Sequence, residues 1–165
     1  MSESKDWLNG KLAANAQLTQ DEIDEIATFS MLWPILENVA FNRNANPQMI
    51  INTIDRWVND GVIDAKDYVD DLNYFKDRYF ENGNITLHFD SLNLRPNDKN
   101  LVENVISGTD DSPRSQLKCV FLIVQRYRNN LFHGNKWQYH LADQRDNFIH
   151  ANQVMRKCLE GLGGI

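Results

Sequence analysis

The chain has 165 residues, of which 42% are hydrophobic and 24% charged, with 8 glycines and 4 prolines. That composition excludes collagen-like, low-complexity and largely disordered classes and fits one globular domain. The formal net charge of −6 speaks against non-specific coating of nucleic acid, but the charge is unevenly spread. Residues 1–111 carry 20 acids against 9 bases, whereas residues 112–142 hold Arg114, Lys118, Arg126, Arg128 and Lys136 and no acid. A basic stripe on an acidic protein either confines a polyanion site to one face or meets acids of other helices in salt bridges.

The longest apolar runs, Met31 to Leu36 and Cys119 to Val124, are six residues each. A bilayer-spanning helix needs roughly 20, so no transmembrane segment and no membrane partner are expected. The opening MSESKDWLNGK lacks the apolar stretch of a secretory signal, which makes a cytoplasmic location the expectation. Cys119 and Cys158 have no CxxC spacing and read as buried reduced thiols.

Residues 1–17 are polar and aperiodic and are expected to form a flexible tail ahead of a single helical domain over 18–165. Thr19 to Glu22 spells a capping box, and Ile23, Ile26, Ala27, Ser30 and Met31 continue at helical spacing. Pro34 falls inside that pattern, so a kink near Ser30 and Met31 is expected rather than an end. Asn46-Pro47 opens a second helix with Ile50, Ile51, Ile54, Trp57 and Val58 on one face and Gly61 as its stop. Asp64 caps a third, with Tyr68, Leu72, Phe75 and Tyr79 inward, an acidic solvated face outward, and Asn82-Gly83 as its stop.

Ile85, Leu87 and Phe89 alternate with polar residues, which fits a short strand or an extended loop over residues 84–95. Pro96 opens a shorter helix to Gly108, and Ser112-Pro113 opens the next, whose stripe is Leu117, Phe121, Val124, Arg128 and Leu131, with Gly134 at its cap. A last helix runs from about Leu141 to Leu159. Five or six helices joined by short connections make an all-α bundle.

The helix after Pro113 ends in Arg126-Tyr127-Arg128-Asn129-Asn130-Leu131-Phe132-His133-Gly134. A guanidinium in line with Phe121 and Val124 is costly to bury, so Arg128 must face an acid, a cleft or another subunit. The segment Arg128 to His133 resembles the R-x4-6-H motif of the HEPN superfamily, with Asn129 as the polar residue that follows the Arg. RNNLFHG looks especially like the Apea-like HEPN group, and Phe29 to Glu37, FSMLWPILE, is similar to that group's first core helix.

The resemblance implies a HEPN-like helical bundle, usually a homodimer, whose paired motif helices form one metal-independent RNA-cleaving site, in a bacterial stress or phage-defence setting. It gives His133 the role of general base or acid at a ribose 2′-hydroxyl and Arg128 the scissile phosphate, with Asn129 orienting phosphate or imidazole. These residue types suit the work: imidazole titrates near neutrality, and guanidinium offers a planar fork to phosphate oxygens. Arg128 and His133 lie about 140° apart around an ideal helix and about 7.5 Å along it. That separation eases if the helix ends near Phe132, if the Arg reaches around, or if a second protomer completes the site.

Similar sequences also mark Glu37 as an acidic partner of Arg128, against a plainly solvated glutamate. Arg126 contacts RNA phosphate or solvates, and Asn135 and Lys136 line a cleft mouth or a plain loop. Some HEPN toxins carry, two residues after the motif His, a Tyr that a partner nucleotidyltransferase modifies. Asn135 stands there, which sets this chain apart from toxins of that arrangement, while another antitoxin or defence-system partner remains compatible. His88, His140 and His150 share no ligand spacing, so no metal and no cofactor are expected. The competing expectation is a non-catalytic HEPN-fold module for dimerisation and partner or nucleotide binding, since a fold can outlive its activity.

Overall fold

Side-chain caps at Thr19, Asn46 and Asp64 set three of the helix starts in the computed structural model, which describes residues 2–132 and 144–163. Helix α1 (Ser2–Asn9) is followed by a 3₁₀ turn at Ala14–Ala16 and by α2 (Gln20–Phe41). At the start of α2 the Glu22 N–H donates to Thr19 Oγ1 at 3.2 Å, and the Thr19 N–H donates to Glu22 Oε2 at 2.7 Å, the reciprocal bonds of a capping box. The helix runs on through Pro34, and the Ser30 hydroxyl donates back to the Ile26 carbonyl at 2.8 Å one turn before it. Asn42, in the left-handed region at φ 48°, ends it.

Helix α3 (Pro47–Asn59) opens on Asn46, whose Oδ1 accepts the Met49 N–H at 2.9 Å, with Pro47 at the first helical position. Asp64 caps a 3₁₀ turn, Ala65–Tyr68, that leads into α4 (Val69–Tyr79). Tyr68, Leu72, Phe75 and Tyr79 are all buried, as their spacing predicts. Strands β1 (Phe80–Glu81) and β2 (Asn84–Ile85) then pair antiparallel, Phe80 opposite Ile85 and Glu81 opposite Asn84. Helices α5 (Leu87–Asp90), α6 (Pro96–Ile106), α7 (Pro113–Phe132) and α8 (Arg145–Gly161) complete the described chain. Six of these helices have eleven residues or more, so the architecture is all-α, with one two-residue-per-strand hairpin.

Three expectations are corrected here. Residues 1–17, expected as a tail without regular structure, hold α1 and the 3₁₀ turn. The Asn9 side chain fastens them by donating to the Leu18 carbonyl and accepting its N–H, both at 2.9 Å, so that Ala16 and Leu18 are buried. The extended segment over 84–95 is a strand only at Asn84–Ile85. From Leu87 the chain is helical, which puts residues two apart about 200° around the axis, so Phe89 is buried and Leu87 is 89% exposed. Asn82-Gly83, expected as the stop of α4, is instead the two-residue turn of the hairpin, with φ 51° and 79°, and α4 ends earlier, at Tyr79, where Phe80 turns extended into β1.

Helix α7 is the axis of the core. Cys119 through Gln125 are buried without a break, so this part of α7 is enclosed on every side rather than along one stripe, by contacts with α3, α4, α6 and α8. Helix α8 packs chiefly on α2, with Phe148 edge-on to Phe29 at 5.2 Å. Burial pushes the thiols of Cys119 and Cys158 up, the latter to about 12, so both stay protonated at neutral pH. No helix among the described residues is long and apolar enough to cross a membrane.

Candidate functional site at the end of the central helix

The buried part of α7 fixes the direction in which its last turns project. Leu117, Phe121, Val124 and Leu131 of the predicted stripe are buried, and Arg128 in the same line is half-buried. Its Nε is fully buried and has no hydrogen-bond partner among the described residues. Its Nη1 donates to Asn129 Oδ1 at 3.1 Å, and the guanidinium lies 5.7 Å from the centre of the Phe132 ring, which is 55% exposed. Among the described residues no carboxylate lies within ion-pair distance of Arg128. Among the described residues, the motif thus holds a cation with one neutral neighbour, one exposed aromatic face and one unused donor.

The other bases of the stripe within the described residues, Arg114, Lys118 and Arg126, are engaged. Arg114 and Lys118 both pair with Asp55, at 3.1 and 2.7 Å, which is the salt-bridge alternative for that part of the stripe. Arg126, a candidate RNA contact, donates from Nε to the Leu92 carbonyl at 2.8 Å. One turn later Asn130 donates to the Ser91 carbonyl at 3.1 Å, so two residues four apart hold the 91–92 backbone against α7. Burial, then the neighbouring Arg95, lowers the pKa of Arg126, and Asp98, whose own pKa burial raises, opposes that shift. Arg126→Met keeps the stem and removes this bond, and is expected to cost about 1–2 kcal/mol in chemical denaturation.

Glu37 does not pair with Arg128. Its Oε1 accepts the Ala45 N–H at 3.2 Å, and Gln125 of α7 donates to the carbonyl of the same Ala45 at 3.3 Å. Glu37 therefore closes the loop between α2 and α3, whose backbone donors it reaches more easily than a guanidinium further along α7. Of the remaining candidates, Asn129 is bonded to Arg128 as described, whereas His133, Asn135 and Lys136 lie outside the described residues, as do Gly134 and His140.

A second polar cluster has no counterpart in the sequence reading. Asp71, expected on the solvated acidic face of α4, is completely buried. One carboxylate oxygen lies 2.8 Å from His150 Nδ1, and the other accepts from Lys157 Nζ at 2.8 Å. The His150 ring stacks on Tyr74 at 4.1 Å between centres, and the Tyr74 hydroxyl donates to Asn147 Oδ1 at 2.8 Å. His150 and Lys157 are seven apart on α8 and so share a face. That spacing was the available signal, but only the docking of α8 on α4 reveals its target. Nearby, the Tyr79 and Tyr127 hydroxyls meet at 2.5 Å, joining α4 to α7 one residue before Arg128. No protein-family model, curated protein or solved structure matches the chain.

Proposed function

We propose that the protein is a metal-independent endoribonuclease of the HEPN type, acting in the cytoplasm within a bacterial stress or phage-defence system. The observation that carries this reading is Arg128, half-buried and, among the described residues, without a carboxylate partner and with its buried Nε unbonded. Such a cation is poorly compensated in the free protein and is stabilised by an anion of matching shape, as a phosphate is. The sequence places the imidazole of His133 directly after Phe132, whose ring lies beside Arg128.

In the proposed reaction His133 takes the proton of a ribose 2′-hydroxyl, and the 2′-oxygen attacks phosphorus. The bond from phosphorus to the 5′-oxygen breaks, and that oxygen is protonated by the same residue of a second protomer. Arg128 holds the charge that builds on the phosphate, and Asn129, bonded to it, fixes the guanidinium. The role of the second protomer makes a homodimer part of the proposal, with the end of α7 at its two-fold axis and an antitoxin or defence protein as the regulating partner. Light scattering at micromolar concentration is expected to return twice 19.2 kDa. A strictly monomeric mass contradicts the composite site.

The direct test incubates the protein with mixed RNA and matched DNA, with and without excess EDTA. RNA cleavage that persists in chelator, spares DNA and weakens with salt is the expected result. Cleavage of DNA, or a strict need for Mg²⁺, rules the mechanism out. Intact RNA under every condition favours the non-catalytic module of the same fold.

A further inference from the structure

We infer that the cleft between the C-terminal half of α4 and the hairpin–α5 segment docks a basic segment of a partner protein, an arginine or lysine side chain beside an apolar one, independently of the ribonuclease reading. The cleft has a volume of about 760 Å³, within the range of binding pockets. Its walls are pre-formed, because Thr86 donates twice to the end of α4, from its N–H to the Tyr79 carbonyl and from Oγ1 to the Arg78 carbonyl, both at 2.9 Å.

The charge offered to solvent there is negative. Asp77 and Glu81 line the cleft, are exposed, and form no ion pair among the described residues. Two unpaired carboxylates on one cleft repel each other in the free protein, and a cation seated between them removes that repulsion. Arg78 lines the same cleft but does not pair with either acid. It is half-buried, and its guanidinium donates to the phenols of half-buried Tyr74 and buried Tyr79. The surrounding chain adds to the field, since residues 64–90 carry seven acids against three bases. Such a field draws a basic partner in and turns an acidic one or a nucleic acid away.

The apolar wall selects what accompanies the cation. Half-buried Ile85 and the 89% exposed Leu87 face the same cleft as the two acids. An arginine or lysine lays its aliphatic stem along such a surface while its charged head reaches the carboxylates, and an apolar neighbour in the partner covers Leu87. Exposed His88 beside them offers a ring nitrogen to the backbone of a bound chain. A cation, its stem and an apolar neighbour together describe a basic peptide segment.

The test is fluorescence anisotropy of the full chain with a dye-labelled peptide alternating arginine and leucine. Peptides with glutamate for arginine or serine for leucine are the controls, and spermidine is the competitor. The arginine–leucine peptide is expected to bind saturably, and each control peptide and spermidine more weakly by about tenfold or more. Asp77→Asn with Glu81→Gln should weaken the binding by about tenfold, and Leu87→Ser by about threefold. All three positions are exposed, so the fold tolerates the changes. Asp67→Asn with Asp70→Asn removes the same charge from exposed positions that do not line the cleft, and should bind within about twofold of the unaltered chain. Arg128→Ala should bind as the unaltered chain does, which separates this site from the ribonuclease proposal. Absence of saturable binding, spermidine or the serine peptide binding as tightly, an equal loss in the Asp67 and Asp70 variant, or affinity unchanged in Leu87→Ser overturns the proposal.

Discussion

Arg128→Ala is expected to lower RNA cleavage by about 10²–10³-fold while leaving the fold nearly intact. The magnitude is that of removing one donor to a developing oxyanion. The fold should tolerate the change because, among the described residues, the guanidinium makes one hydrogen bond, to the adjacent Asn129, and one contact with the half-exposed Phe132 ring, with no ion pair. Losses of that kind stay within about 1 kcal/mol. His133→Ala should lose about 10²–10⁴-fold, the usual worth of a positioned acid or base, and the double variant should lose much less than the product of the two. Single-turnover cleavage alongside thermal melting checks both. If the variants unfold and activity follows the folded fraction, the motif is structural.

Lys157→Met should destabilise the protein by about 3 kcal/mol, more than the removal of Asp71 itself. Asp71 is fully buried, whereas Lys157 and His150 keep 31% and 22% of their side chains exposed. Taking away Lys157 leaves a buried carboxylate with the imidazole alone, the costly half of a broken pair. Taking away Asp71 leaves two bases that water can reach, at about 2 kcal/mol. In the double variant the loss should fall back toward that of Asp71→Ala, because the orphaned charge is gone. Urea denaturation of the four proteins reads the cycle, and additive losses contradict the pairing.

What the sequence made legible is what local chemistry determines. The capping box at Thr19 and Glu22, the Asn46-Pro47 start and the prolines at 96 and 113 all act within one helical turn, and each opens a helix where expected. The stripe on α7 was readable for the same reason, and with it the anomaly of Arg128. What escaped depends on chain segments far apart. Asn9 reaches Leu18 nine residues on, and Asp71 is buried only because His150 and Lys157 arrive from 79 and 86 residues away. Glu37 looked like a partner for Arg128 by position, but a backbone N–H eight residues away in the next loop reaches it first. The alternation of Ile85, Leu87 and Phe89 misled because its period of two was real while the hairpin ended after Ile85, leaving a helical turn to bury Phe89 alone.

The measurement that bears most directly on Arg128 and His133 as a phosphate clamp and proton carrier is the chemistry of the cut ends. RNA digested by the purified protein in excess EDTA and examined by mass spectrometry should carry 2′,3′-cyclic phosphate on one fragment and 5′-hydroxyl on the other, since the nucleophile comes from the ribose. Fragments ending in 3′-hydroxyl and 5′-phosphate would show attack by water from outside the substrate and contradict the account.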